Sequence, residues 1–576
     1  MAKQKAYDRP AFLDSISRAY ARRRKSVVLL TGATHDLFFS REQKRFLELE
    51  QTLFQALNAK FLVQRLDIST GLGVFDDRDM DKLNQHIREA DALTTSVDDK
   101  IGDLKKEVAS TRHSPLPALV LLREMLEALV RLKSVDEKVK PVCTIVKFAG
   151  SLLPSGNFDQ LGELDRQRLV TFLNLIESPS FRQSNHLIIL VADTKSEVNS
   201  RIVALPSVEC IEIELPNEAE RSQFVDSFLK DRSGDGGIEF EGGKQRFVED
   251  TAGLTLTAVE DLMQMAHGSS VPISRADVLS EINEVLTAEL GDIIKVSRPE
   301  HGPADIIGYQ HTGEILRDIF RRCEDPETAV PAILISGPNG AGKTFQLEAY
   351  AAQSGRVVIE LAGLRGQYFG QTDQFFEKLR LRIKTYGKIL ILVDEAHTAF
   401  GSVHSNNTHE TEKRLAGNII KMMGDRTLFG KVLWGLMTSR PDELDPDVKS
   451  RAPIQIPIFD LEGDERRLFV EALFKRKKVS LPEGEVEEVL SLTASYSNRD
   501  FDFLVKEVKG SGRDSVLETL RVWQASSSIR QQRMLQTFIA AQHCSYPALL
   551  PADIREFAGS SELDAKIQEL KYALHG

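Results

Sequence analysis

At 576 residues the chain is too long for one core, since single cores stop growing near roughly 250–300 residues, so two large units or four smaller lobes are expected. Hydrophobic residues at 41% and charged residues at 28% give enough apolar surface to offset chain entropy, which excludes a largely disordered chain. A formal net charge of -11 suits no surface built to displace counterions from phosphate backbones, so nucleic acid is not the favoured partner.

The opening segment carries the basic cluster Arg22-Arg23-Arg24-Lys25 but no apolar stretch of the kind an export signal needs. No run of 18 or more apolar residues follows, so a membrane-crossing helix is not expected. Cys143, Cys210, Cys323 and Cys544 are far apart and form no CxxC or Cys/His pattern, which points away from zinc or a disulfide framework and toward a reducing, cytoplasmic setting.

Buried-strand signals appear at 27–32 (VVLLTG), 141–148 (PVCTIVKF) and 187–193, and return in the same order at 332–337 (AILISG), 387–394 (GKILILVD) and 432–438. Continuous Val/Ile/Leu runs separated by helical-period segments are what a parallel sheet covered on both faces requires. Each third strand is followed by a proline-containing extended segment and a helical region. Within those regions TAGLTLTAVEDLMQMA (251–266) resembles TASYSNRDFDFLVKEV (493–508).

The pattern predicts an internal duplication of an α/β fold: two parallel-sheet sandwiches, each followed by a small helical lid. The expected divisions are a first half over 1–294 (sandwich 20–214, inserted helical hairpin 79–138, lid 215–290), a linker at 295–305, a second sandwich at 306–459, its lid at 460–511 and a helical extension at 512–576.

The second half carries the chemistry. Gly337-Pro338-Asn339-Gly340-Ala341-Gly342-Lys343-Thr344 matches GxxxxGK[ST] between a strand and a helical segment. Such glycines let backbone N–H groups face phosphates, Lys343 reaches the β/γ-phosphates of ATP, and the Thr344 hydroxyl ligates Mg²⁺. Downstream, Ile389-Leu390-Ile391-Leu392-Val393 ends in Asp394-Glu395. Asp394 is the second metal residue, acting through water, and Glu395 the general base for the attacking water.

These motifs resemble the AAA branch of the AAA+ ATPases. Met437-Thr438-Ser439-Arg440-Pro441-Asp442-Glu443-Leu444-Asp445-Pro446 is similar to that branch's second region of homology. Asp305-Ile306-Ile307-Gly308-Tyr309 looks like its adenine-wrapping segment, and Tyr368-Phe369-Gly370-Gln371-Thr372-Asp373 like its first pore loop. The resemblance runs motif by motif over 305–510 and in outline over 27–290.

By that resemblance Ile307 and Gly308 join the ATP-binding set, Ser439 stands where sensor 1 usually has asparagine, Arg499 stands as sensor 2, and Arg451 lies near the arginine-finger position. Ser439 is shorter than asparagine, and the region around Arg451 is shorter than the usual two-arginine form. An arginine finger acts across a subunit boundary, so the resemblance implies a homo-oligomeric ring, possibly of six, acting on a protein partner through Tyr368 and Phe369.

The first half lacks this equipment. Its first strand runs into Thr31-Gly32-Ala33-Thr34-His35-Asp36, without a Lys-Ser/Thr pair, and its second ends Val146-Lys147-Phe148. It is expected to serve as a platform. Two rival readings remain at this point: a slowly hydrolysing, nucleotide-gated switch or scaffold, and a motor on nucleic acid. The intact Glu395 weighs against the first and the acidity against the second.

Overall fold

The computed structural model describes residues 9–21, 25–95, 100–231, 238–269, 271–290, 294–361, 372–385, 388–400, 410–511, 515–524 and 529–575. The chain divides into two compact units, Met1–Ile282 with Asp373–Thr385, and Asn283–Thr372 with Tyr386–Gly576.

In the first unit the strands are β1 (Val27–Gly32), β2 (Leu37–Ser40), β3 (Arg45–Glu48), β4 (Leu62–Asp67), β5 (Gly71–Val74), β6 (Val142–Val146), β7 (Leu187–Val191) and β8 (Val208–Ile213). Six of them form a sheet in the order β5-β4-β6-β7-β1-β8, parallel except for β5, while β2 and β3 pair as a separate hairpin. Successive residues of β1 enter different cores: Val27 and Leu29 join one apolar cluster, Val28 and Leu30 another. That alternation explains the unbroken aliphatic run, because both faces of the strand are covered.

The second unit contains β9 (Ile294–Ser297), β10 (Ala332–Ser336), β11 (Val357–Leu361), β12 (Ile389–Val393), β13 (Val432–Thr438) and β14 (Ile454–Pro457). Their order is β14-β10-β13-β12-β11-β9, again parallel except for the last. The five parallel strands of the two sheets therefore share one order, with β1 and β10, β6 and β12, and β7 and β13 in corresponding places, while the antiparallel edge strand comes after β4 in the first unit and before β10 in the second. The expected duplication of α/β sandwiches is the observed fold.

One shared detail fixes the correspondence at atomic scale. Gly32 (φ 94°) ends β1 and Gly337 (φ 136°) directly follows β10, and a Cβ there would lie 2.4 Å from the Ile213 carbonyl oxygen or 2.0 Å from that of Ile458. Only glycine permits so close a backbone approach.

Three features were not legible as predicted. Residues 295–297, read as the start of a linker, belong with Ile294 to β9, which pairs antiparallel with β11, since Ile294 and Val296 alternate into the core. Among its described residues the segment 79–138 forms three helices, Asp77–Ala92, Leu104–Ser110 and Pro115–Lys133, whose buried faces belong to one cluster with β4 and β6. Strands β4 (LVQRLD) and β11 (VVIEL) escaped notice because polar residues interrupt or close their aliphatic runs.

The lid of the second unit has its own apolar centre, including Val470, Phe474, Phe501 and Leu504. Its helix Asn498–Gly510 begins with a capping box, in which Ser497 and Asp500 exchange hydrogen bonds, and this sets the direction in which Asn498 and Arg499 enter the helix. The extension forms a pair of helices, Ile529–Gln542 and Ser561–His575, packed through Leu535, Ile539, Leu563 and Ile567.

Candidate functional site

Strand β10 delivers the chain to a loop that turns into helix Lys343–Gln353. Gly340 and Gly342 are left-handed, at φ 86° and 97°, and a Cβ at Gly340 would press on Ser497 and Arg499 of the lid. Lys343 is buried, and its Nζ donates to the carbonyls of Gly337 at 3.0 Å and Pro338 at 3.1 Å. Burial pulls this ammonium down to about 8, opposed by the nearby Glu395 and Asp394 carboxylates.

Strand β12, buried at every position, ends at the carboxylate pair. Glu395 is left-handed at φ 47° and opens the short helix Ala396–Ala399, its N–H donating to Asp394 Oδ1 at 2.9 Å. His397 Nδ1 stands 3.3 Å from Glu395 Oε2 and 2.8 Å from Thr438 Oγ1 at the end of β13. The pair is thereby held against the next strand of the sheet.

A cavity of about 610 Å³ joins these parts. Asn339 to Thr344, Asp394, Glu395 and Arg499 line it, together with Ile307, so residues from four separate segments meet around one space. Gly308, left-handed at φ 77°, backs onto Leu461, and Pro338 is buried under the loop. Ser439 is buried just past β13 and does not line the cavity. Arg451 ends helix Pro446–Arg451 at the surface, with its guanidinium against Gly424, also away from the cavity lining. Tyr368 and Phe369 lie outside the described residues.

Tyr309 and Asn498 were not singled out from sequence. The Tyr309 hydroxyl lies 3.0 Å from the Ala341 carbonyl and 2.8 Å from that of Phe459, and accepts from Asn498 Nδ2 at 2.9 Å; Asn498 also donates to the Ala341 carbonyl. Burial raises the Tyr309 hydroxyl well above its ordinary range, so it stays a donor at all physiological pH. Tyr309 closes the quoted segment Asp305-Ile306-Ile307-Gly308-Tyr309 without a role of its own there and Asn498 precedes Arg499, but a hydrogen bond between residues so far apart in the chain leaves no sequence signal.

The site suits a nucleotide with Mg²⁺. The glycines leave the phosphate side of the loop without Cβ atoms, Lys343 supplies a buried cation, and the volume falls in the ordinary range for small-ligand sites. Thr344 and Asp394 offer oxygen donors to a hard cation. Among the described residues no group of three or more His, Cys, Asp or Glu gathers to hold a metal by itself.

Residues 333–459 match the model of the family described as ATPase family associated with various cellular activities (AAA), and residues 3–214 that of the AAA+ chaperone, N-terminal Rossmann-like domain. The chain belongs to the AAA+ ATPases. Similar curated proteins include the cell division cycle protein 48 homolog of Archaeoglobus fulgidus, 26% identical over 30% of this chain and 24% of that protein. Human fidgetin-like protein 1 is 23% identical over 42% of this chain and 38% of its own length. The ATPase family gene 2 protein of Saccharomyces cerevisiae is 25% identical over 41% and 32% respectively. This AAA+ chain thus spans well under half the length of each of these relatives. Among its described residues no helix is long and apolar enough to cross a membrane.

Proposed function

We propose that this AAA+ protein hydrolyses ATP at the single site in its second unit and works as an oligomeric remodelling or threading machine on a protein partner, in the cytoplasm. One observation carries the catalytic part: Lys343, Thr344, Asp394, Glu395 and Arg499 face one cavity although they come from three distant segments of the chain. Mg²⁺, when bound, neutralises charge on the phosphates.

The chain's own groups divide the remaining work. N–H groups of 340–344 and the helix N-terminus receive the phosphates, Lys343 places its ammonium on them, and Ile307 and Gly308 contact the base. The Glu395 carboxylate accepts a proton from the attacking water; Ser439, buried just past β13, is assigned the sensor-1 role behind that site. Arg499 reaches the phosphates from the lid, and closure of the lid excludes water. Arg451 is assigned to the site of a neighbouring subunit, which its surface position and its absence from the cavity lining support.

The first unit is read as a platform, and Tyr368 and Phe369 as the residues that grip the partner. The four cysteines, all free thiols, support a reducing compartment.

Steady-state ATPase across a range of protein concentrations, with and without an unfolded protein, tests this reading. Activity per chain rises with concentration until the oligomer is saturated, and the unfolded protein stimulates it. Arg451→Ala binds ATP normally yet turns over slowly, and mixing it with Glu395→Gln restores part of the activity. Concentration-independent turnover by a monomer, with Arg451→Ala at the parent rate, contradicts the oligomeric machine and leaves a nucleotide-gated switch.

A further inference from the structure

The extension beyond 512 carries no sequence motif, yet its helix Ile529–Gln542 reaches the phosphate-binding loop. The contact falls on Asn339, at the loop tip, and engages both backbone polar groups of that residue. The Asn339 N–H donates to Gln536 Oε1 at 3.2 Å, and the Asn339 carbonyl accepts from the Arg533 guanidinium. Arg533 and Gln536 are both buried, and they lie one helical turn apart, so they present to the same neighbour.

Arg533 is itself held on its other side. Its second terminal nitrogen pairs with Asp460, which follows β14. Burial raises the Asp460 carboxyl, and the Arg533 charge opposes that rise. The same extension touches the sheet again where Ser545 N–H donates to the Gln455 carbonyl at 2.8 Å and Ser545 Oγ accepts from Gln455 N–H at 2.8 Å. Lys571 Nζ then pairs with Asp442, three residues past Ser439, at 2.7 Å.

We infer that Arg533 and Gln536 are positioning residues for the ATP site, and that the extension is a clamp in cis which fixes the tip of the phosphate loop in its binding conformation. The inference rests on the reading of 337–344 as that site. The physical reason is specific to this loop. Gly340 and Gly342 permit close approach of the backbone to phosphates, but glycine is also the residue with most conformational freedom to lose. Tying both polar groups of Asn339 from outside fixes the peptide that enters Gly340 and so the course of the glycine-bearing loop that follows it. Ordering the loop before ATP arrives removes that cost from binding.

ATP binding is measured by calorimetry with Mg²⁺ on full-length protein carrying Glu395→Gln to stop turnover, and KM and kcat are measured in the Glu395 background. Arg533→Met keeps an unbranched apolar stem and removes both of its polar contacts. It is expected to raise the ATP dissociation constant and KM about tenfold while kcat at saturation stays within about twofold, the signature of lost loop preorganisation. Arg533→Lys keeps one donor and the charge toward Asp460, and recovers part of the affinity.

Gln536→Met removes only the acceptor for the Asn339 N–H, and raises the dissociation constant by a smaller factor. A purely structural role predicts something else: lower thermal stability with unchanged ATP affinity. Arg533→Met binding ATP like the parent, or more tightly, overturns the inference. Should Arg533→Met fail to fold, unchanged ATP affinity in Gln536→Met overturns it equally. If the parent itself fails to bind ATP, the reading of the site falls instead.

Discussion

Phe148 and Glu395 occupy equivalent backbone positions in the two units, left-handed at φ 50° and 47°, each the second residue past the end of β6 or β12, and each opening a four-residue helix. A left-handed conformation is uncommon for any residue with a side chain and more so for a bulky one, so the turn geometry has been kept where the carboxylate has not. Beside Phe148, Lys147 Nζ pairs with Glu50 at 2.7 Å, putting a cation where Asp394 stands in the second unit.

The loss therefore goes beyond the general base. Restoring Lys147→Asp and Phe148→Glu in a chain whose own site is disabled by Lys343→Ala should give no ATP turnover, because the first unit's loop still lacks a phosphate-binding lysine. A steady-state ATPase assay checks this, and turnover above that of Lys343→Ala alone would show a usable phosphate cradle in the first unit.

Gly32 gives the complementary case of a residue kept for folding alone. With φ 94° and the Ile213 carbonyl 2.4 Å from any added Cβ, Gly32→Ala should destabilise the first unit by about 2 kcal/mol through strain and displaced backbone. ATP affinity of the second unit should be retained. Calorimetric unfolding at the parent temperature would contradict the close approach described for Gly32.

Lys343 sets the pH range of binding. Its ammonium in the ATP-free protein is pulled down to about 8 by burial. ATP needs that ammonium charged, so protons favour the bound state. Affinity should hold below pH 8 and fall above it, approaching about tenfold per pH unit while the free protein is deprotonated and the complex is not. Dissociation constants measured from pH 7 to pH 10 test the sign, and a flat profile would show that Lys343 stays charged throughout.

Much of this was written locally in the chain. The strands of uniform burial, the phosphate loop, the Asp394-Glu395 pair and the duplication are all patterns within short segments. What escaped notice depends on contacts between distant residues: Tyr309 with Asn498, Arg533 with Asn339, the short antiparallel edges β5 and β9. The edge strands are four residues long and their pairing is set by the neighbour, so their own sequence carries little signal. Arg533 sits in a helix whose pattern explains only its packing on Leu563 and Ile567.

Calorimetric titration of ATP with Mg²⁺ into full-length Glu395→Gln, paired with its turnover rate, bears most directly on a single working site in the second unit. The amide keeps the shape of the carboxylate but cannot accept the proton from water, so binding should persist at one ATP per chain while hydrolysis falls by about 10²–10⁴-fold. Adding Lys343→Ala to that protein should then remove the binding. Two ATP molecules per chain, or turnover at the parent rate in Glu395→Gln, would contradict it.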